Sequence, residues 1–473
     1  MFVGRNAEIK ALNGFFEKKG AGLAVVSGSY GVGKTELLKE FSKDKESFYF
    51  DAYETTAKHL SEILGGMLGL KTACSADLFC QEILNRADSQ KQLVILDQYP
   101  NIVKADPDFN KTLLSYFNGK WKNKPIKLVL CGDAFSLMEK YVYGSKAAWN
   151  PNISLHLSLN PLGFYDSCQF FMDASPSEAA YLYGISGGYP YNLIRIAGMM
   201  GHKDFSKYSR EIGENRLKDI TSGLYLDKET GTGLKPETIM SQELRELSYY
   251  NHLLVSLAKG IYRVNQISAE VEKPKDVVVP YLNSLMGIGI CRKETAVTEI
   301  TNRKKTRYSI ANLNTLFWYM YIVENYEDYI QGNIDLLWNK IEQDLDKYME
   351  RVFIQICGEY LQDRSDKNLL PFTVEVIGNW WVNDEEKGTS DGFDLVSLGK
   401  CEGKSATIYC QCYYNDAPIE VAQLKVLIEK TKQLHRQGDA FYIVFSKAGF
   451  NENAITISSA IKNIMLITLD EMR

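Results

Sequence analysis

Two short stretches carry the residues whose types and spacing can do chemistry. The first is GSYGVGKTELLKEF, residues 28–41, directly after the apolar run GLAVVS. Gly28, Gly31 and Gly33 let the backbone curl until its N–H groups converge on phosphate oxygens, and a helix opening at the end of the loop adds partial positive charge. Lys34 is placed to reach β- and γ-phosphates, and Thr35 offers a hydroxyl to Mg²⁺. The nucleotide-binding set from this stretch is Gly28, Ser29, Tyr30, Gly31, Val32, Gly33, Lys34, Thr35 and Glu36.

The second stretch is QLVILDQYP, residues 92–100. Asp97 closes an apolar run, and a carboxylate there can hold magnesium through its water shell. The next residue is Gln98, where many ATPases of this type carry a glutamate that polarises the attacking water. A glutamine amide takes no proton, but it can orient a water by hydrogen bonding. The expected catalytic set is Lys34, Asp97 and Gln98, with Thr35 and Asp97 as Mg²⁺ ligands and ATP and Mg²⁺ as cofactors. The chemistry expected of it is slow or gated ATP hydrolysis. Normal turnover with another carboxylate such as Asp133 in charge of the water, and binding without hydrolysis, stay open as alternatives.

Several elements are needed to position these residues. GLAVVS, SFYFDAYE, QLVILD and IKLVLCGDAFSLM read as core strands separated by helices, which implies a parallel sheet covered on both faces. At 473 residues the chain is long enough for several domains, and its charged fraction of 24% is that of an ordinary globular protein. The net charge of −5 gives no global signature for nucleic acid, so any such contact needs a local patch. Nine scattered cysteines, a polar start and no apolar run of membrane-spanning length predict a cytoplasmic chain with reduced thiols and no membrane partner. Oligomeric state is not legible.

Four segments in order, FVGRNAEIKAL, the phosphate loop, LVILDQYP and GISGGYPYNLIRI, together resemble the archaeal-type ATPase family, one of the signal-transducing AAA+-like ATPases (STAND). The resemblance implies that Gly4 and Arg5 lie near the adenine. It also implies that Gly187, Gly188 and Pro190 begin a helix of a nucleotide-sensing lid, with Pro190 added to the cofactor-binding set. LNPLGFYDSCQFF resembles the family's link from sheet to lid. The sequence departs from the family at Gln98 and at GDAFSLM, where a phosphate sensor would sit.

After the lid, ELSYYNHLLVSLAKG, VNQISAEVEK and DVVVPYLNSLMGIGICRKE read as three helices, with TRYSIAN as a returning strand and EITNRKK as a wing. This pattern resembles a winged helix-turn-helix, which follows the lid in the same family. Residues 243–307 hold eleven Lys or Arg against seven Asp or Glu, and Arg303, Lys304, Lys305 and Arg307 are the candidates for a phosphate backbone. The alternative is a wing used for intramolecular packing. The aromatic run NLNTLFWYMYIVENYEDYI reads as a core stripe.

Residues 340–473 read as α/β, and in the family this region resembles a restriction-endonuclease-like domain. Such nucleases hold metal with a helix Glu, a strand Asp and a Glu-x-Lys on the next strand. Glu350 matches the first and Asp394 the second, but the third reads Gln411-Cys412-Tyr413. The expected site of Glu350, Asp394, Gln411 and Tyr413 is therefore degenerate, and the domain is a candidate surface for a protein partner.

The expected fold class is α/β: a P-loop NTPase parallel sheet with a helical lid, a winged helix-turn-helix and a C-terminal restriction-endonuclease-like domain. The expected domains are 1–165 for the core, 166–235 for the lid, 236–325 for the winged helix and 326–473 for the C-terminal domain. The leading reading is an ATP-binding switch controlling the last two domains. The alternatives are a DNA-binding regulatory or defence protein with ATP as a structural ligand, and a metal-dependent nuclease.

Overall fold

A computed structural model describes residues 2–133, 135–297, 306–384, 389–431 and 438–473; for 382–384 and 389–391 it describes the backbone alone. The chain forms two compact units. The first is Met1–Pro161 with Tyr189–Tyr191 and Thr238–Arg245; the second is Leu162–Gly188, Asn192–Glu237 and Glu246–Arg473.

The first unit is built on five parallel strands: β1 (Gly22–Gly28), β2 (Ser47–Asp51), β3 (Gln92–Asp97), β4 (Ile126–Gly132) and β5 (Ile153–Leu159), in the order β2-β3-β4-β1-β5. The three inner strands are predominantly apolar, and β3 and β4 are buried along their whole length. That pattern requires cover on both faces, which helices provide. On one face Phe48, Phe50, Phe79, Phe109, Trp121 and Trp149 join a single apolar cluster. The edge strand β5 alternates instead, with inward residues separated by exposed ones. β1 runs into the phosphate loop and the helix Lys34–Ser42, and β3 ends at Asp97, so both chemical stretches emerge at the C-terminal edge of the sheet. Ligands of open α/β sheets bind at this edge.

The second unit opens with helices. Ser175 and Glu178 form a capping box on the helix Pro176–Ser186, which ends at Gly187. Gly187 and Gly188 both have positive φ, and the Leu162 N–H donates to the Gly188 carbonyl at 2.8 Å. A Cβ on Gly188 would lie 2.1 Å from the Leu162 carbonyl oxygen, so no side chain fits there. Below this turn lies a buried polar hub: Asn192 Nδ2 donates to the Ser186 carbonyl and to Tyr225 Oη, Asn314 Nδ2 also donates to Tyr225 Oη, and Tyr225 donates to the Ile185 carbonyl.

Three helices follow, Leu247–Ala258, Val264–Glu270 and Lys275–Gly287, and then an antiparallel ribbon of β6 (Cys291–Thr295) and β7 (Thr306–Ile310). The aromatic run after it is interior, with Phe317, Trp318, Tyr319 and Tyr321 buried. The 33-residue helix Ile334–Asp366 leads into a second sheet of β8 (Thr373–Asp384), β9 (Thr389–Cys401), β10 (Lys404–Tyr413), β11 (Asp439–Ser446) and β12 (Ile464–Thr468). β8, β9 and β10 pair antiparallel, while β10, β11 and β12 pair parallel through helical crossovers. Among the described residues no helix is long and apolar enough to cross a membrane.

Candidate functional site

The phosphate loop has the backbone its glycines predict. Gly28, Gly31 and Gly33 all have positive φ, and a Cβ on Gly28 would lie 2.6 Å from the Leu159 carbonyl oxygen. Lys34 is buried and folds back over its own loop, donating to the carbonyls of Gly28 and Ser29 at 2.9 Å each. Those two bonds satisfy an ammonium that has left water; a phosphate would take over that role. Val32 is buried, and Glu36 faces solvent in an ion pair with Lys39 at 3.0 Å.

Asp97 is fully buried, and its carboxylate is held on both oxygens. Thr35 Oγ1 donates to Oδ2 at 2.7 Å, Tyr49 Oη donates to the same oxygen at 2.8 Å, and the Gln98 N–H donates to Oδ1 at 2.9 Å. Burial, reinforced by the charge of Asp97, pushes the Tyr49 hydroxyl far above its ordinary value, so it stays a donor. The buried Cys131 thiol is raised as well, first by burial and then by Asp97. Thr35 and Asp97 thus bring two hard oxygen donors together beside the loop, a set that suits Mg²⁺. Gln98 caps the helix Tyr99–Ala105 from the left-handed region at φ 52°. Asp51 is the in-register neighbour of Asp97 on β2. Burial, Asp97 and Asp133 raise its carboxyl, while Lys39 lowers it.

The segment Tyr189–Tyr191 packs on the loop. Tyr189 Oη lies 3.3 Å from Ser29 Oγ, the Tyr191 N–H donates to the Gly31 carbonyl at 3.2 Å, and the Tyr30 and Tyr191 rings are 5.8 Å apart. Pro190 faces Gly33, whose Cβ position is 3.5 Å from the proline ring. Gly4 and Arg5 both have positive φ, and Arg5 donates to the carbonyls of Val32 and Asn160 and pairs with Glu8 at 3.0 Å. Arg5 therefore ties the chain start to the back of the loop.

In the second unit Asp394 accepts from Gln411 Nε2 at 2.5 Å and from the Cys412 N–H at 2.8 Å. Burial pushes its carboxyl up to about 6; the Cys412 N–H, Lys430 and Arg351 pull it down, and Glu350 pushes it further up. Glu350 itself is exposed and Tyr413 half-buried. The metal that the resemblance of this region implies does not fit. An amide N–H points at the carboxylate where a cation would need a third oxygen, and no group of three metal-binding side chains exists among the described residues.

Arg303, Lys304 and Lys305 lie outside the described residues. Arg307 is half-buried, its guanidinium 4.4 Å from the Tyr262 ring and 4.1 Å from the Trp381 ring, and Arg292 pairs with Glu294 at 2.6 Å. Just past the loop end of β6, the Val297 N–H donates to the Asn379 carbonyl of β8 at 3.0 Å.

Sequence reasoning missed Tyr49, Cys131 and the tyrosines at 189 and 191. Reading SFYFDAYE as a core strand put Tyr49 on a strand, but which strand lies beside β3 is a property of the sheet.

Residues 2–196 match a family described as an ATPase domain predominantly from Archaea, and residues 318–424 match one described as archaeal and bacterial proteins of unknown function. An uncharacterized protein of Methanocaldococcus jannaschii is 26% identical over 406 residues, 86% of each chain. Among solved structures, the Walker-type ATPase of Pyrococcus abyssi overlaps 67% of this chain and 96% of its own at 15% identity and TM-score 0.47. The ORC2 protein of Aeropyrum pernix, in its ADPNP and ADP complexes, overlaps 70% and 95% at 14% identity and TM-score 0.46. The sheet order, the loop geometry and the match of residues 2–196 agree on a P-loop ATPase fold of the kind found predominantly in Archaea.

Proposed function

We propose that this chain is an ATP-binding molecular switch with slow or gated hydrolysis, whose nucleotide state controls a winged helix-turn-helix and a C-terminal restriction-endonuclease-like domain without metal chemistry. One observation carries the reading: Lys34, Thr35 and Asp97 converge at one sheet edge, and the residue after Asp97 is an amide.

Bound Mg²⁺·ATP would supply the γ-phosphoryl group and the charge that neutralises it. Lys34 exchanges two loop carbonyls for phosphate oxygens. Thr35 offers its hydroxyl oxygen to the cation while Asp97 accepts the hydroxyl proton. Gln98 orients a water without taking its proton, so the triphosphate state is long-lived. The loop residues that contact Tyr189–Tyr191 are those that phosphates would rearrange, and the next residue along the chain, Asn192, enters the second unit's buried hub. A switch requires that ATP bind two states unequally, and this turn is the element with the means to differ.

The three helices and ribbon of residues 247–310, and the helix-and-sheet order of residues 334–446, support the two domain assignments. Arg307 stacked on Trp381 favours a wing used for packing over one that meets DNA, which stays the second reading. Hydrogen exchange with ATP and then ADP tests the proposal. Protection should change at residues 186–192 and 312–316 as well as at the loop, and change confined to the loop would contradict it.

A further inference from the structure

We infer that Tyr49 is a positioning residue for Asp97, setting the site's affinity for the divalent cation that accompanies the nucleotide; this rests on the nucleotide-site reading above. A buried carboxylate needs hydrogen bonds to remain ionised, and it offers about four acceptor positions. Three are filled by identified donors: Oδ2 by Thr35 and Tyr49, and Oδ1 by the Gln98 N–H. Thr35 and Gln98 belong to the two motifs themselves. Tyr49 comes from a different strand and makes no other hydrogen bond with its hydroxyl among the described residues.

The register explains how it arrives. Asp51 is the Cα partner of Asp97, and Tyr49 lies two residues back along β2, paired with Ile95. Two strand residues span about 6.6 Å, which a tyrosine can cover along the strand direction to place its hydroxyl at the end of β3. The flanking residues Phe48 and Phe50 are buried on the opposite face of the strand, so Tyr49→Phe leaves their packing in place. What residue 49 adds is one O–H, and it is directed at the carboxylate that would face the cation. With two hydroxyl donors on one oxygen and a backbone donor on the other, the carboxylate plane is fixed before the cation arrives. Partners of this kind, one step behind a ligand, are typically worth about 10- to 100-fold in metal affinity.

The test uses the full chain and a fluorescent ATP analogue, titrated in EDTA and across a Mg²⁺ series, for wild type, Tyr49→Phe and Asp97→Asn. Tyr49→Phe should raise the Mg²⁺ concentration for half-maximal tightening by about tenfold or more, leaving affinity in EDTA and the thermal midpoint without Mg²⁺ near wild type. Asp97→Asn should abolish the Mg²⁺ dependence. A wild-type Mg²⁺ dependence in Tyr49→Phe, or an equal loss of affinity in EDTA and Mg²⁺, overturns the inference and leaves the nucleotide site standing. A wild-type chain that binds nucleotide in neither condition overturns both.

Discussion

Gln98 occupies left-handed backbone at φ 52°, a region that costs a residue with a Cβ about 1 kcal/mol and that only tight local geometry sustains. The geometry has a use, because it turns the Gln98 N–H onto Asp97 Oδ1. Replacing Gln98 by Glu keeps that backbone bond and changes the side chain's ability to accept a proton. Asp394 makes the opposite point in the second unit. Its folded carboxyl titrates near 6 against an ordinary 3.8, so the native state binds the proton more tightly than the unfolded chain does. The sign follows: its charged form destabilises the fold, increasingly as pH rises from about 4 to 6 and constantly above that. Asp394→Asn should therefore be more stable than wild type by up to about 3 kcal/mol at pH 7, with the difference fading toward pH 4. Urea midpoints across pH 4–8 check this, and a gap independent of pH would contradict it. At this scale the phosphate loop and Asp97 were legible because each motif is contiguous. Tyr49 was not, because strand pairing brings it to Asp97, and Gln411 was grouped with Asp394 only through the family resemblance.

Among the elements, the turn at Gly187–Tyr191 joins a lid helix to a segment packed on the phosphate loop. Gly188→Ala would drive a methyl against the Leu162 carbonyl and force a non-glycine residue to φ 69°. We expect a loss of roughly 2 kcal/mol or more, read as a lowered denaturation midpoint. Gly201→Ala is the control: its φ is 87°, but nothing lies within 4 Å of its Cβ position, so only the backbone cost of about 1 kcal/mol applies. Equal losses would mean that the close approach of Leu162 is not what fixes the turn. The inner strands β1, β3 and β4 were legible as predominantly apolar runs, β4 being interrupted only by Lys127. The edge strand ISLHLSL, β5, was missed because it alternates, a period-2 signal that a search for apolar runs passes over. The helix Glu452–Ala460 and β12 were missed too; the helix exposes most of its length and has no strong apolar face.

The whole molecule divides into two compact units whose sequences interleave, since Tyr189–Tyr191 and Thr238–Arg245 belong with the first although their flanks belong with the second. Composition cannot reveal such interleaving, and a linear domain list does not express it. A nucleotide-dependent change at Tyr189–Tyr191 is connected along the chain to the hub of Asn192, Tyr225 and Asn314, and Asn314 sits in the helix that follows the ribbon. If the chain is an ATP switch, Arg303, Lys304 and Lys305 should be separable from the nucleotide site. Replacing Arg303, Lys304 and Lys305 by alanine should leave ATP affinity unchanged. Salt-sensitive binding of duplex DNA by wild type, lost in that variant, would move the DNA-binding reading ahead.

The most direct measurement is single-turnover ATP hydrolysis by wild type, Gln98→Glu and Lys34→Ala. Wild type should bind ATP but hydrolyse it slowly. Gln98→Glu should be faster by at least about tenfold, as expected when a proton acceptor is restored beside the water, and Lys34→Ala should be inactive. Brisk hydrolysis by wild type, little changed in Gln98→Glu, would contradict the slow switch and assign the water to another residue.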